Sequence, residues 1–198
     1  MATWRAVAAG DSHACALKAD GRAFCWGSGE LGALGTGKLE EALTPVAVAG
    51  DHSFKVIAAD SFGTCGIDQG GALWCWGINH SGGFPFGEAG PFGKVLEPTR
   101  VQAEVSWKQV VLGGHSGCAL SHEGELYCWQ DRELATPRGG ERDWTGRPEL
   151  ATSGDGLTSV CESGDHACIT TDEGEVLCSG DDAEGQLGDG SSGGGGGD

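Results

Sequence analysis

DGRAFCWG at residues 20–27 returns as GGALWCWG at 70–77, EGELYCWQ at 123–130 and EGEVLCSG at 173–180, each with a cysteine in the sixth place. Around these phrases the register holds without gaps. Cys15, Cys65, Cys118 and Cys168 stand 50, 53 and 50 residues apart, and Cys25, Cys75, Cys128 and Cys178 follow them ten positions later. Eleven places before each first cysteine is a large apolar residue (Trp4, Phe54, Trp107, Leu157), and three places further on is Val7, Ile57, Val110 or Val160. Six places after it is always a glycine: Gly21, Gly71, Gly124 and Gly174. A period in this range marks an array of small units, each unable to bury its own apolar surface alone.

One unit, ACALKADGRAFCW, reads as two strands joined by a three-residue loop with Gly21 at the left-handed position, where a side chain is costly. That register sets Leu17 opposite Ala23 and Cys15 opposite Cys25. Alternation then puts Cys15, Leu17, Ala23 and Cys25 on one face and Ala16, Phe24 and Trp26 on the other. The second unit sets Cys65, Ile67, Leu73 and Cys75 against Gly66, Trp74 and Trp76. The third sets Cys118, Leu120, Leu126 and Cys128 against Ala119, Tyr127 and Trp129. Both faces are apolar, so each hairpin must be covered on both sides. This excludes a sheet with one face in water and fits an all-β array of blades around an axis. The units fall at approximately 1–50, 51–103, 104–153 and 154–190, and the Gly-rich stretch 191–198 is expected to be a disordered tail.

A second landmark follows the hairpins. ELGALGTG at 30–37 matches EGQLGDG at 184–190, with Gly32, Leu34 and Gly35 corresponding to Gly185, Leu187 and Gly188. The second unit keeps only Gly82 and Phe84, and DRELATP in the third has lost the pattern. These segments, around 28–44, 78–98, 130–148 and 181–190, are expected to be surface loops on a rim and the best candidates for partner contacts.

Twenty-nine acidic and 12 basic residues give a net charge of −17, which repels phosphate backbones and argues against direct nucleic-acid binding. No apolar run approaches the ~20 residues of a membrane helix, so no membrane contact is expected. The first residues, MATWRAVAAGDSHACAL, lack the apolar stretch of a secretory signal.

Cysteines facing each other across a hairpin at non-hydrogen-bonded positions have Cα atoms about 4.5 Å apart, at the short end of the disulfide range. Four such pairs favour a stapled scaffold, Cys15–Cys25, Cys65–Cys75, Cys118–Cys128 and Cys168–Cys178, each contributing about 2–3 kcal/mol. The competing reading is four pairs of small buried hydrophobes kept reduced in cytoplasm. Disulfides would imply an extracellular or secretory compartment, which the missing signal contradicts unless the chain is a fragment. The ninth cysteine, Cys161, aligns with Ala8, Ala58 and Val111 and is expected to be a free, buried thiol.

No catalytic, cofactor or metal set converges. Among His13, His52, His80, His115, His122 and His166, two (His13 and His166) share a repeat position, where a structural hydrogen bond inside the blade is expected. GHSG at 114–117 has Cys118 where a nucleophile elbow needs glycine, and its context is strand-to-strand, so Ser116 is a poor nucleophile candidate. A sialidase-type propeller needs a tyrosine nucleophile, and Tyr127 occupies a core position shared with Phe24, Trp74 and Leu177. GDDAEGQLGDG matches no calcium loop, and no Cys or His pair recurs with zinc spacing. Of the seven tryptophans, Trp26, Trp76, Trp129, Trp4 and Trp107 hold repeated positions that core packing explains, leaving Trp74 and Trp144.

The stretch WRAVAAGDSHACALKADGRAFCWGSGELGALGTG at 4–37 resembles one repeat of the regulator of chromosome condensation family: an aromatic, a Val, a Gly, a His, an Ala-Leu, a turn Gly, a Trp-Gly and a closing Gly-Gln-Leu-Gly. Unit four supplies the closing phrase as Gly185, Gln186, Leu187 and Gly188. The resemblance runs from Trp4 to about Gly190. It implies a β-propeller, usually of seven blades, offering loops of a rigid disc to a protein partner without catalysis, with guanine nucleotide exchange on a small GTPase as the alternative role. Four units make a partial propeller: a fragment of a seven-bladed ring, an open ring, or one that another chain completes. An open stack bares an apolar blade face at each end, which makes self-association a hazard.

Overall fold

The computed structural model describes residues 3–78, 93–101, 104–114, 116–130, 149–153, 156–163 and 166–192. They form an all-β, partial propeller of four blades, each an antiparallel meander. The first blade is β1 (Trp4–Ala9), β2 (His13–Lys18), β3 (Ala23–Gly27) and β4 (Ala42–Ala47). The second is β5 (Phe54–Ala59), β6 (Gly63–Asp68), β7 (Leu73–Ile78) and β8 (Lys94–Arg100). The third is β9 (Trp107–Leu112), β10 (Ser116–Ser121), β11 (Glu125–Gln130) and β12 (Glu149–Ser153). The fourth, with three strands among the described residues, is β13 (Leu157–Glu162), β14 (His166–Thr171) and β15 (Val176–Gly180).

The hairpin register is the one that alternation and turn chemistry dictate. Cys15 lies opposite Cys25 and Leu17 opposite Ala23, and the same pairing recurs in the other three blades. The turn glycines Gly21, Gly71, Gly124 and Gly174 have φ of 86°, 86°, 81° and 84°, the left-handed region that other residues enter at a cost of about 1 kcal/mol or more. In the first blade Lys18 N donates to Arg22 O at 2.9 Å and closes the loop.

The blades stack as two apolar faces require. β5 packs on β1 and β2, β9 on β5 and β6, and β13 on β9 and β10. The cysteine face of each blade is the floor for the opposite face of the next. Cys15, Leu17, Ala23 and Cys25 meet Phe54 and Trp76; Cys65, Ile67, Leu73 and Cys75 meet Trp107, Ala119 and Trp129; Cys118, Leu120 and Leu126 meet Leu157 and Val160. Complete burial of large apolar side chains such as Phe54, Trp76 and Trp107 contributes about 2–3 kcal/mol each.

Several sequence expectations fall outside the described residues: most of the tail at 193–198, the Gly82 and Phe84 landmarks, most of the segments 78–98 and 130–148, and Trp144, His80 and His115.

Candidate functional site

The segment after β3 is part of the core, which corrects its reading as a free rim loop. Gly32 and Gly35, at φ of 81° and 65°, turn residues 30–35 into a compact knot held by Gly32 N→Gly29 O at 2.9 Å and Gly35 N→Gly32 O at 3.0 Å. The knot drives Ala33 and Leu34 into the seam between the first two blades, where Leu34 is fully buried against Cys15, Cys25, Phe54 and Trp76. The Ala33 carbonyl accepts two hydrogen bonds from the second blade, from Trp76 Nε1 and from Thr64 Oγ1, each at 2.9 Å. Glu30, Lys38, Leu39, Glu40 and Glu41 remain outward.

Thr64 also meets His13 Nε2 at 2.9 Å. With the hydroxyl proton committed to Ala33, the imidazole is the donor, so Nε2 carries hydrogen. The expected structural bond of His13 therefore exists, but it runs between blades instead of inside one. Burial holds the His13 pKa below its ordinary value. In the last blade His166 is only half-buried, and its Nδ1 lies 3.0 Å from Ser163 Oγ.

On the same rim, the turns between the first two strands of every blade share one bond: Gly10 N→His13 O, Asp60 N→Gly63 O, Gly113 N→Ser116 O and Ser163 N→His166 O. Asp60 is buried in its turn and its Oδ1 accepts from Phe62 N at 2.9 Å and Gly63 N at 2.8 Å. Desolvation pushes its pKa up to about 6, against those two hydrogen bonds and with help from the charges of Glu162 and Asp11. Two neighbouring charges of the same sign and a buried carboxyl make this rim acidic.

The last blade repeats the knot without a seam. Gly185 and Gly188 have φ of 81° and 69°, with Gly185 N→Asp182 O and Gly188 N→Gly185 O each at 3.2 Å. The buried Asp182 carboxylate fixes it further by accepting from Leu187 N at 3.0 Å. Leu187 is only half-buried here, and Asp181, Glu184 and Asp189 are exposed.

All eight hairpin cysteines lie in facing pairs, with Sγ–Sγ distances of 2.07, 2.05, 2.09 and 2.06 Å in chain order and Cα separations of 4.0–4.1 Å. Cys161 carries a free thiol, but it is exposed, which corrects the expectation of burial. Ala8, Ala58 and Val111 occupy the same position beneath a following blade, whereas no described element follows the fourth. At the other end, the first blade bares Trp4 at 43% and Val7 at 71% exposure, beside a groove of about 520 Å³ that also touches Ala16, Trp26 and Pro45.

Ser116 and Tyr127 are occupied structurally. Ser116 Oγ donates to the Glu162 carboxylate on the next blade and lies 3.4 Å from Gly113 O, with no described histidine against it. Tyr127 stacks edge-on against Trp107 at 5.2 Å and donates to Glu125 Oε2. Trp76 and Trp129 are buried between blades, as their repeat position demands. Among the described residues, no cluster of three or more His, Cys, Asp or Glu side chains could hold a metal ion.

Residues 4–33 and 20–64 match the family described as Regulator of chromosome condensation (RCC1) repeat. The RCC1 domain-containing protein RUG3, mitochondrial, of Arabidopsis thaliana is 32% identical over 193 residues, covering 93% of this chain and 43% of that protein. The crystal structure of human WBSCR16 superposes with a TM-score of 0.84 at 19% identity, over 96% of this chain and 51% of that one. Prp20p from Saccharomyces cerevisiae, described with its binding to Gsp1p and histones, superposes with a TM-score of 0.76 at 20% identity over 93% of this chain and 46% of that one. The chain spans less than half the length of the curated relatives it matches.

Proposed function

We propose that this chain, which belongs to the regulator of chromosome condensation repeat family, is a non-catalytic interaction module that holds a basic protein partner on its acidic rim. One observation carries the reading. The knot at 181–190 is folded by its own hydrogen bonds, as the seated knot is, yet presents Asp181, Glu184 and Asp189 to solvent on a chain of net charge −17. A loop ordered before binding pays little conformational entropy on binding, and a field of one sign selects partners of the other. The histone binding of the structurally similar Prp20p supports a basic partner.

The test is a titration with core histones at two salt concentrations. D181N/E184Q/D189N is expected to weaken binding about fivefold at low salt, at roughly 0.3 kcal/mol per exposed charge. E123Q/E173Q/E175Q, which removes as much charge at the β2–β3-type turns on the opposite rim, is expected to change it less than twofold. Equal losses in the two variants, or no saturable binding, overturn the reading. Hydrolytic activity that disappears in Ser116→Ala would overturn its non-catalytic part.

Nucleotide exchange on a small GTPase is the second reading, favoured by the binding of Prp20p to Gsp1p. It predicts faster nucleotide release from Gsp1p on addition of the chain, and an unchanged rate removes it. Self-association through the bare Trp4 and Val7 face and the uncovered fourth blade is a further property of the module. It predicts a solution mass that rises with concentration, and a monomer at every concentration refutes it.

A further inference from the structure

Three cysteines stand at one register across the last blade. Cys161 on β13 is the Cα partner of Cys168 on β14, and Cys168 is in turn the partner of Cys178 on β15, to which it is bonded. Directly opposite residues project to the same face of a sheet, so all three side chains emerge together. The 4.1 Å Cα separation of Cys168 and Cys178 is that of a non-hydrogen-bonded pair. The backbone N–H and C=O of Cys168 therefore point at β13, which makes Cys161 and Cys168 a hydrogen-bonded pair with Cα atoms about 5.5 Å apart, within the ordinary disulfide range. Ser163 N→His166 O, two residues nearer the turn, fixes that phase.

We propose that this row is a thiol–disulfide exchange site. The Cys161 thiolate, its proton released to solvent, attacks Sγ of Cys168; the Cys161–Cys168 bond forms as Cys168–Cys178 breaks, and Cys178 leaves as a thiolate that takes up a proton. One disulfide replaces another, so no oxidant or reductant is consumed. Exchange wants the attacking, central and leaving sulfurs near one line, and three adjacent strands at one register supply it. The other blades cannot follow this course, because Ala8, Ala58 and Val111 stand where Cys161 stands. The disulfides of the first two blades are also covered, since Cys15, Cys25, Cys65 and Cys75 are completely buried; in the third blade Cys118 is buried and Cys128 half-buried, whereas in the fourth Cys161 is exposed and Cys168 and Cys178 are half-buried. Moving the bond ties β13 to β14 and removes the covalent tie of β15, which carries the exposed Val176 and Leu177, leads into the acidic knot and is then held only by its ladder on β14.

The experiment is differential alkylation of the intact chain at mildly alkaline pH without added thiol, followed by acid quench and cleavage at Glu162 and Glu173, which separates the three cysteines. Label is expected on Cys178 together with a Cys161–Cys168 linked peptide. In Cys161→Ser, Cys178 labelling is expected to drop at least about tenfold, because the attacking thiol is gone. Cys178→Ser refolded with oxidised glutathione is expected to yield the Cys161–Cys168 disulfide. Label confined to Cys161 in the intact chain, or Cys178 labelling unchanged in Cys161→Ser, overturns the proposal even if Cys178→Ser does not fold.

Discussion

The knots at 30–35 and 183–188 are the same backbone in two environments. Gly32 and Gly185 both sit at φ of 81°, and Gly35 and Gly188 at 65° and 69°. The first knot is driven into a seam, its Ala33 carbonyl accepting from Trp76 and Thr64. In the second, Gln186 and Leu187 take the places of Ala33 and Leu34 with no described blade beyond them. Local hydrogen bonds therefore suffice to shape the knot, and the neighbouring blade turns it from a surface feature into a core element. What the repeat encodes is a plug, and whether it seals or binds depends on what stands next to it.

The largest effect expected from this contrast is on the plug's leucines. Leu34→Ala removes a fully buried side chain from between two blades and should destabilise by about 3 kcal/mol, whereas Leu187→Ala should cost about 0.5 kcal/mol or less. Urea unfolding of the two variants measures the difference. Equal losses would mean that the fourth knot is covered in solution, as self-association requires.

The glycines sharpen the same comparison by holding the backbone term constant. Gly35→Ala and Gly188→Ala each place a side chain at positive φ, at about 1 kcal/mol. At Gly35 the new Cβ would also fall 2.7 Å from Trp76 Nε1, while at Gly188 nothing lies within 4 Å. The clash should bring the Gly35→Ala loss to about 2–3 kcal/mol. Subtracting the two losses isolates the seam. Thr64→Val tests its polar half, leaving Ala33 with one donor and His13 Nε2 without an acceptor; about 2 kcal/mol is expected.

Much of this architecture is legible in the sequence. Cysteine spacing and glycine turns set the hairpin register, and the two apolar faces of each hairpin required stacking. The role of the knot was not readable in the same way, because Gly-rich punctuation around Leu34 looks like a surface turn and the Trp76 donor to the Ala33 carbonyl lies 43 residues away. One signal was available: an apolar residue held between two glycines at the same spacing in two units is unusual for a solvated loop. Cys161 misled for the complementary reason. Alignment with Ala8, Ala58 and Val111 reports which face a residue uses, but burial also needs a neighbour to cover that face.

The smallest effect concerns the acidic rim beside the sealed seam, where Asp60 holds the position that the exposed-end blade gives to Ser163. Its pKa is raised to about 6 by burial, so the folded state binds a proton more tightly than the unfolded chain. The contribution is most favourable below an ordinary aspartate pKa of about 4 and is lost as pH rises through 6. Burial lowers the His13 pKa, so the sign there is opposite: stability is present above about 6.5 and lost as pH falls. The two slopes oppose each other where their windows overlap, below about pH 6. Asp60→Asn keeps an oxygen to accept from Phe62 N and Gly63 N but abolishes the charge. It should stabilise by about 1 kcal/mol at pH 8, nothing at pH 4, and unmask the His13 slope. Thermal unfolding of both proteins across that range decides the matter, since parallel profiles would mean that Asp60 titrates as it does in the unfolded chain.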